Sequence, residues 1–355
     1  MTGTITHFMG MAYTGGGVRH KYEDLIKDAS KVYFFKTPPT KELSSGLKEI
    51  GLQWVKKGFD IECFADPLVP DSIDAVYVKE ANVFYLQASH PLSIEPTNFG
   101  SNHKVIPLYD MYEGEKLSEQ GGLIREYVLK SEQTLERALT ALNEAKKIHD
   151  DWEVLNINRM NWDKHIEMTE DIIKDLMGTL RLNKKAKISN RLIGSLTVGG
   201  AKDFVPSITR GSHRRLLIKG LPGTGKSTMM KAIGQEAERR GLDVLYGWCG
   251  LDPRSVDLVV IPELMVSIFD STPPHEYEIE RTGDEIIDIA SLCAKDEEAE
   301  KKIEEVKYTY TEKMLDARGY MHSYGDSYNL VRKWVDSSIS QRKMQDTVNN
   351  LLLEI

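Results

Sequence analysis

Eight residues in the second half of the chain, Gly220-Leu221-Pro222-Gly223-Thr224-Gly225-Lys226-Ser227, have types and spacing suited to gripping a polyphosphate. They fit the pattern GxxxxGK[ST], preceded by the apolar run Leu216–Ile218 and followed by a helical pattern from Lys226 to Arg240. Gly220, Gly223 and Gly225 let the backbone take conformations closed to other residues and approach the phosphates closely. The amides of Gly223 to Thr228 then point inward at a helix start, where the dipole also favours an anion. Lys226 reaches the β- and γ-phosphates, and the Ser227 hydroxyl is placed to ligate Mg²⁺. The expectation is a site for ATP (or GTP) with Mg²⁺, lined by Gly220 through Thr228. A glycine-rich turn with an exposed lysine is the bland alternative; the strand before the loop and the helix after it argue against that.

Such a site needs an acid at the end of a neighbouring strand, holding Mg²⁺ directly or through water. Asp270 ends the run Val266-Ser-Ile-Phe and precedes Ser271-Thr272-Pro273-Pro274. Glu263 follows the run Leu258–Ile261 and competes with it. Asp270 is the expected metal ligand beside Ser227, with Glu263 kept as a water-orienting residue. Lys226, Asp270 and Glu263 thus form the expected catalytic set. His275, beyond Pro274, is near enough in sequence to touch base or ribose, although a turn histidine is the simpler reading. Cys249 reads as a small buried hydrophobe.

The elements that must position these residues come from an internal repeat. Residues 9–91, moved by 183 positions, lie on 192–274 without a gap and give 19 identities in 83 pairs. Chance from such a composition gives about a third of that number. Lys36 meets Lys219, Pro39 meets Pro222, Ser44 meets Ser227, Asp74 meets Asp257 and Glu80 meets Glu263. In each copy a short apolar strand leads to a helix and then to three more strand-like runs, which predicts α/β units with a mainly parallel sheet. The copies differ where the chemistry lies. Thr37, Thr40, Glu42 and Leu43 stand where the second copy has Gly220, Gly223, Gly225 and Lys226, and Gln87 stands opposite Asp270. The first copy therefore reads as degenerate, with a single site in the second.

Each copy ends in a long stretch rich in Glu, Lys, Leu and Ala, expected as an antiparallel helical hairpin beside its own sheet. The units run 1–183, with a tail from 116, and 184–355, with a tail from 284. His149 with Arg159, and His322 with Arg332, recur ten residues apart in the tails. Solvated helix positions are the default for them; reaching a partner, or the nucleotide of the other copy, is the alternative. The turn Thr14–Gly17, partly repeated at Thr197–Gly200, reads as structural. A net charge of −8 gives no general attraction to nucleic acid or to an anionic membrane. Cys63, Cys249 and Cys293 are too scattered for a disulfide framework or zinc cluster. With no apolar run near the ~20 residues of a membrane span, the expected setting is cytoplasmic.

Together, the repeat, the loop Lys219–Thr228, the run Asp257–Leu264 and the run Phe269–His275 resemble a bacterial family, mostly from Gram-positive spore formers. Its members look like tandem P-loop ATPase-type proteins, and the likeness covers nearly the whole chain. The resemblance implies two P-loop NTPase-like units and ATP binding, and adds no substrate. The first copy of that family commonly carries a loop too, so Thr37–Ser44 departs from it. Three activities remain open on sequence: Mg²⁺-dependent ATP hydrolysis, phosphate transfer to a small molecule, and ATP-controlled binding of an unknown protein or small-molecule partner without catalysis. The arginine-rich lid usual in small-molecule kinases is not evident.

Overall fold

The computed structural model describes residues 2–354. The first half runs β1 (Ile5–Met9), β2 (Ala12–Thr14), β3 (Gly17–Arg19), α1 (Glu23–Asp28), β4 (Lys31–Lys36), α2 (Glu42–Lys56), β5 (Ile61–Ala65), β6 (Ile73–Val78), β7 (Val83–Gln87), β8 (His103–Pro107), α3 (Gly114–Glu119), α4 (Gly121–Ile157) and α5 (Trp162–Met177). The second half follows the same order without a partner for α3. It runs β9 (Ile188–Leu192), β10 (Gly194–Thr197), β11 (Gly200–Asp203), α6 (Val205–Ile208), β12 (Arg214–Lys219), α7 (Lys226–Arg239), β13 (Val244–Trp248), β14 (Val256–Ile261), β15 (Val266–Asp270), β16 (Asp284–Asp288), α8 (Glu297–Ser337) and α9 (Gln341–Leu352). Strands β1, β4, β5, β6 and β7 each lie 183 residues before their counterparts, so the sequence register is also the structural one.

The fold is α/β, a large, mostly parallel mixed sheet flanked by helices. Twelve strands form the sheet in the order β16-β12-β15-β14-β13-β9-β1-β5-β6-β7-β4-β8. The halves meet where β1 and β9 pair antiparallel through Met9 and Leu192. Within each half five strands point one way, and one, β6 or β14, runs against its neighbours. The central strands are apolar on both faces, as in Lys31-Val-Tyr-Phe-Phe-Lys36, because helices cover both sides of the sheet. The helix from Glu42 buries Leu43, Leu47, Ile50 and Trp54, the stripe expected from its spacing. At the junction, Arg191 on β9 is buried and donates to Glu62 (2.6 Å) and Asp24 (2.9 Å) of the first half. The turns between β2 and β3 and between β10 and β11 are tight, with Gly17 at φ +98° and Gly200 at φ +110°, so Thr14–Gly17 and Thr197–Gly200 are structural.

The tails correct the expectation of a hairpin beside each sheet. Helices α4 and α8, about 55 and 60 Å long at 1.5 Å per residue, pack antiparallel on each other rather than on α5 and α9. Tyr127 meets Trp334, Glu144 meets Lys313, and Arg159 faces Glu300. Each short terminal helix then docks on the opposite half, α5 on α7 and α9 on α2. The reason lies in the apolar faces. Leu135, Ala138, Ala141 and Leu142 of α4 share one core with Ala317, Met321, Tyr324 and Tyr328 of α8 and with both β-hairpins. Small residues at the crossing let the two helices approach closely.

Candidate functional site

The C-terminal ends of the parallel strands make one edge of the second half's sheet, and the glycine loop follows β12 there. Gly223 (φ +79°) and Gly225 (φ +86°) sit in the left-handed region that favours glycine. Gly220 is needed for close packing, since a Cβ there would lie 2.7 Å from Ile289. Lys226 folds across the loop mouth, donating to the carbonyls of Gly220 and Leu221. Its ammonium also lies 3.6 Å from Asp270. Thr224 N–H donates to the Leu221 carbonyl, but among the described residues the amides of Gly223, Gly225, Lys226, Ser227 and Thr228 donate to nothing. Five amides without acceptors, around a lysine at a helix start, form a cradle for a polyanion.

Two carboxylates face that cradle. Asp270 ends β15, where its Oδ1 accepts from the Thr272 amide (3.0 Å) and hydroxyl (2.5 Å). Burial pushes its carboxyl up, and Lys226 opposes this. Asp257 is the second residue of β14, one place before Leu258, which pairs with Phe269, so it lies near Asp270 and its charge acts on it. In the sequence Asp257 is matched by Asp74 of the first half, which gives it no mark of a site residue. A strand running against its neighbours brings its first residue, not its last, to the phosphate edge. His275 lies behind the pair, with Nδ1 2.8 Å from Asp203 and Nε2 3.9 Å from Asp257. Burial lowers its imidazole pKa, but the surrounding Asp203, Asp257 and Asp270 outweigh that and raise it. His275 is a turn residue, its amide donating to the Thr272 carbonyl (2.8 Å), whose side chain also forms a buried link between acids.

Two further expectations change. Glu263 lies beyond the far end of β14, about 20 Å from Asp257 at 3.4 Å per residue. There it accepts from the Asp243 amide (3.1 Å) and pairs with Lys184 (2.8 Å), as Glu80 accepts from Asp60 (3.0 Å) in the first half. It is a structural cap with no place in the catalytic set. Ser227 stands at the cradle, yet its Oγ accepts from the Val256 amide (3.0 Å), just as Ser44 accepts from Ile73 (2.8 Å). The shared serine joins helix to strand in both halves; its remaining lone pair is what a metal would use. Cys249 has a thiol pKa pushed well up by burial beside Asp257, consistent with the inert reading.

The roof of the site comes from the first half. Lys146 on α4 bonds Asp252 after β13 (3.1 Å), and Asn161 donates to Leu292 after β16 (3.1 Å). Between those ends α4 passes over the loop. Asn156 donates to the Pro222 carbonyl (2.8 Å), and the His165 ring meets the Gly225 carbonyl (3.2 Å). The Glu153 main chain packs so closely on Gly223 that a Cβ there would come within 2.2 Å of its carbonyl. The two polar contacts use loop carbonyls and spare the amides. Nothing in the sequence placed α4 here, because the exchange of tails depends on the whole fold. His149, Asp150 and Glu153 cluster within 4.8 Å on this helix, and Lys146 is already paired with Asp150. No known protein family, curated protein or solved structure matches this chain. The chemistry of the site therefore rests on its own geometry.

The first half supplies the contrast. Asp336 of α8 reaches the start of α2, where its Oδ1 accepts from the Thr40 hydroxyl (2.5 Å) and the Lys41 amide (3.2 Å). Thr40 and Lys41 match Gly223 and Thr224, so a carboxylate of the chain stands at the matching helix start. Counting back from the helix caps Asn161 and Ser340, Asp336 corresponds to Ile157, and Arg332 corresponds to Glu153. Among the described residues, no carboxylate is hydrogen-bonded to an amide of the second half's loop.

Proposed function

We propose that the second half is a P-loop NTPase-like unit that binds Mg²⁺ with ATP (or GTP) on Gly220–Thr228 and hydrolyses it, while the first half is its degenerate copy. The observation that carries this reading is the set of unpaired amides of Gly223 and Gly225–Thr228 beside Lys226, against the matching helix start of the first half, where Asp336 accepts from Thr40 and Lys41. The amides and Lys226 hold the phosphates, and Asp257, Asp270 and the Ser227 hydroxyl are the oxygens available to Mg²⁺. Held by these oxygens, Mg²⁺ would supply Lewis-acid neutralisation of phosphate charge. His275 keeps the neighbouring acids oriented through Asp203 and Asp257. Calorimetry with Mg·ATP, with GTP as a second titrant, tests the reading. One site per chain is expected, and Lys226→Ala abolishes binding without moving the melting temperature. A wild-type chain that takes up neither nucleotide, or a variant that binds as well as wild type, rejects it.

A further inference from the structure

A hydrolytic site needs a group to take the proton from the attacking water, and Glu263 lies at the wrong edge of the sheet. The two acids on the sheet are assigned to the metal. Asp270 accepts from Thr272 through one oxygen and faces Lys226 through the other; Asp257 accepts from the Ser255 hydroxyl (3.1 Å) and faces His275. One further carboxylate stands over the loop.

From the position of Glu153 we infer that the first half supplies the water-activating base of the second half's site, an inference that rests on the nucleotide-hydrolysis reading above. Its backbone lies on Gly223, in the turn that cradles the phosphates. Its side chain is half-buried in a setting formed by Lys146 and Asp150 on its own helix, Asp252 after β13 and Lys226 on α7, with His149 Nδ1 3.8 Å from Oε1. Among the described residues no donor is hydrogen-bonded to the carboxylate, and the side chain is 35% exposed. Burial, against the charge of Lys146 and with Asp150 and Asp252 adding to it, raises the carboxyl above the usual glutamate value. The structural counterpart over the closed loop is Arg332, so the acid occurs only above the intact cradle.

In the step assigned to it, the water oxygen attacks the γ-phosphorus while Glu153 takes the water's proton. The bond from γ-phosphorus to the bridging oxygen breaks, and its electron pair leaves with the nucleoside diphosphate. The proton then passes from Glu153 to solvent.

Glu153→Gln keeps size and polarity but removes the basic oxygen. The full chain carrying it should bind ATP within about threefold of wild type and retain its melting temperature, while kcat falls by about 10²–10⁴-fold. Bound nucleotide recovered from the variant should be ATP, not ADP. Glu153→Asp, which keeps the charge but draws it back by one methylene, should lose less. Unchanged turnover in Glu153→Gln overturns the inference, and so does a parallel loss of ATP affinity, which marks a binding role. Wild-type protein that binds ATP and releases no phosphate also overturns it, leaving the binding site standing. Failure of wild type to bind ATP instead removes the reading beneath it.

Discussion

Asp270 and Asp257 are neighbouring acids whose charges act on each other, yet their surroundings separate their roles. Asp270 has an oxygen turned to Lys226, while Asp257 is tied to Ser255 and His275. Asp270→Asn should therefore lower Mg²⁺-dependent turnover by roughly ten- to a hundredfold and change ATP affinity much less, as measured by phosphate release and calorimetry. In the first half, Asp66 stands in the place of Cys249, near Asp74 and Arg332. Burial pushes its carboxyl up to about 6, despite the amide of Leu68 and the charge of Arg332. A carboxyl raised on folding costs nothing while both states are protonated; the cost grows from the unfolded value, near 4, up to about 6. Asp66→Asn should then raise the melting temperature at pH 7.5, and the gain should fade as the pH falls toward 4. A gain that is the same at both pH values refutes the assignment.

Among the elements, the two long helices explain why one half is closed and the other open. The end of α8 brings Asp336 to the start of α2, whereas the matching turn of α4 brings Ile157, which is 41% exposed. A helix start left with unpaired amides favours an anion, and the chain meets that demand in the first half alone. Asp336→Ala should cost about 0.5–2 kcal/mol, the usual range for loss of an N-terminal acceptor, read as a lower melting temperature. It should not create a second nucleotide site. Thr40 and Glu42 stand where left-handed glycines are needed, and Leu43 replaces the lysine. A stoichiometry of two in calorimetry contradicts this. The single-site expectation came from these same residues in the sequence; the internal carboxylate did not, since Asp336 lies 296 residues from Thr40.

For the whole molecule, the exchange of tails makes the halves interdependent. The core formed by α4, α8 and the two β-hairpins draws apolar residues from both, and Arg191 is neutralised by acids of the other half. Either half alone exposes its long helix face and loses the cover over one loop, and the second half alone leaves Arg191 buried without Glu62 and Asp24. Segments 1–183 and 184–355 should each be unstable when expressed apart and form a 1:1 complex that binds ATP when expressed together, as seen by gel filtration and calorimetry. Two separately stable monomers rule out this account of the tails.

The sequence by itself determined the repeat, its register, the strand–loop–helix around Lys226 and the loss of that loop in the first copy. These are local properties: glycines at positions of positive φ, apolar periods of two and 3.6, and identities at a constant offset. Tertiary structure decided the rest. Whether β14 runs with or against its neighbours is settled by pairing partners distant in sequence, and that direction exchanged Glu263 for Asp257 at the phosphate edge. Which sheet receives each tail depends on how two amphipathic helices bury their apolar faces, a choice that local periodicity leaves open, and it set Glu153 over one loop and Asp336 in the other.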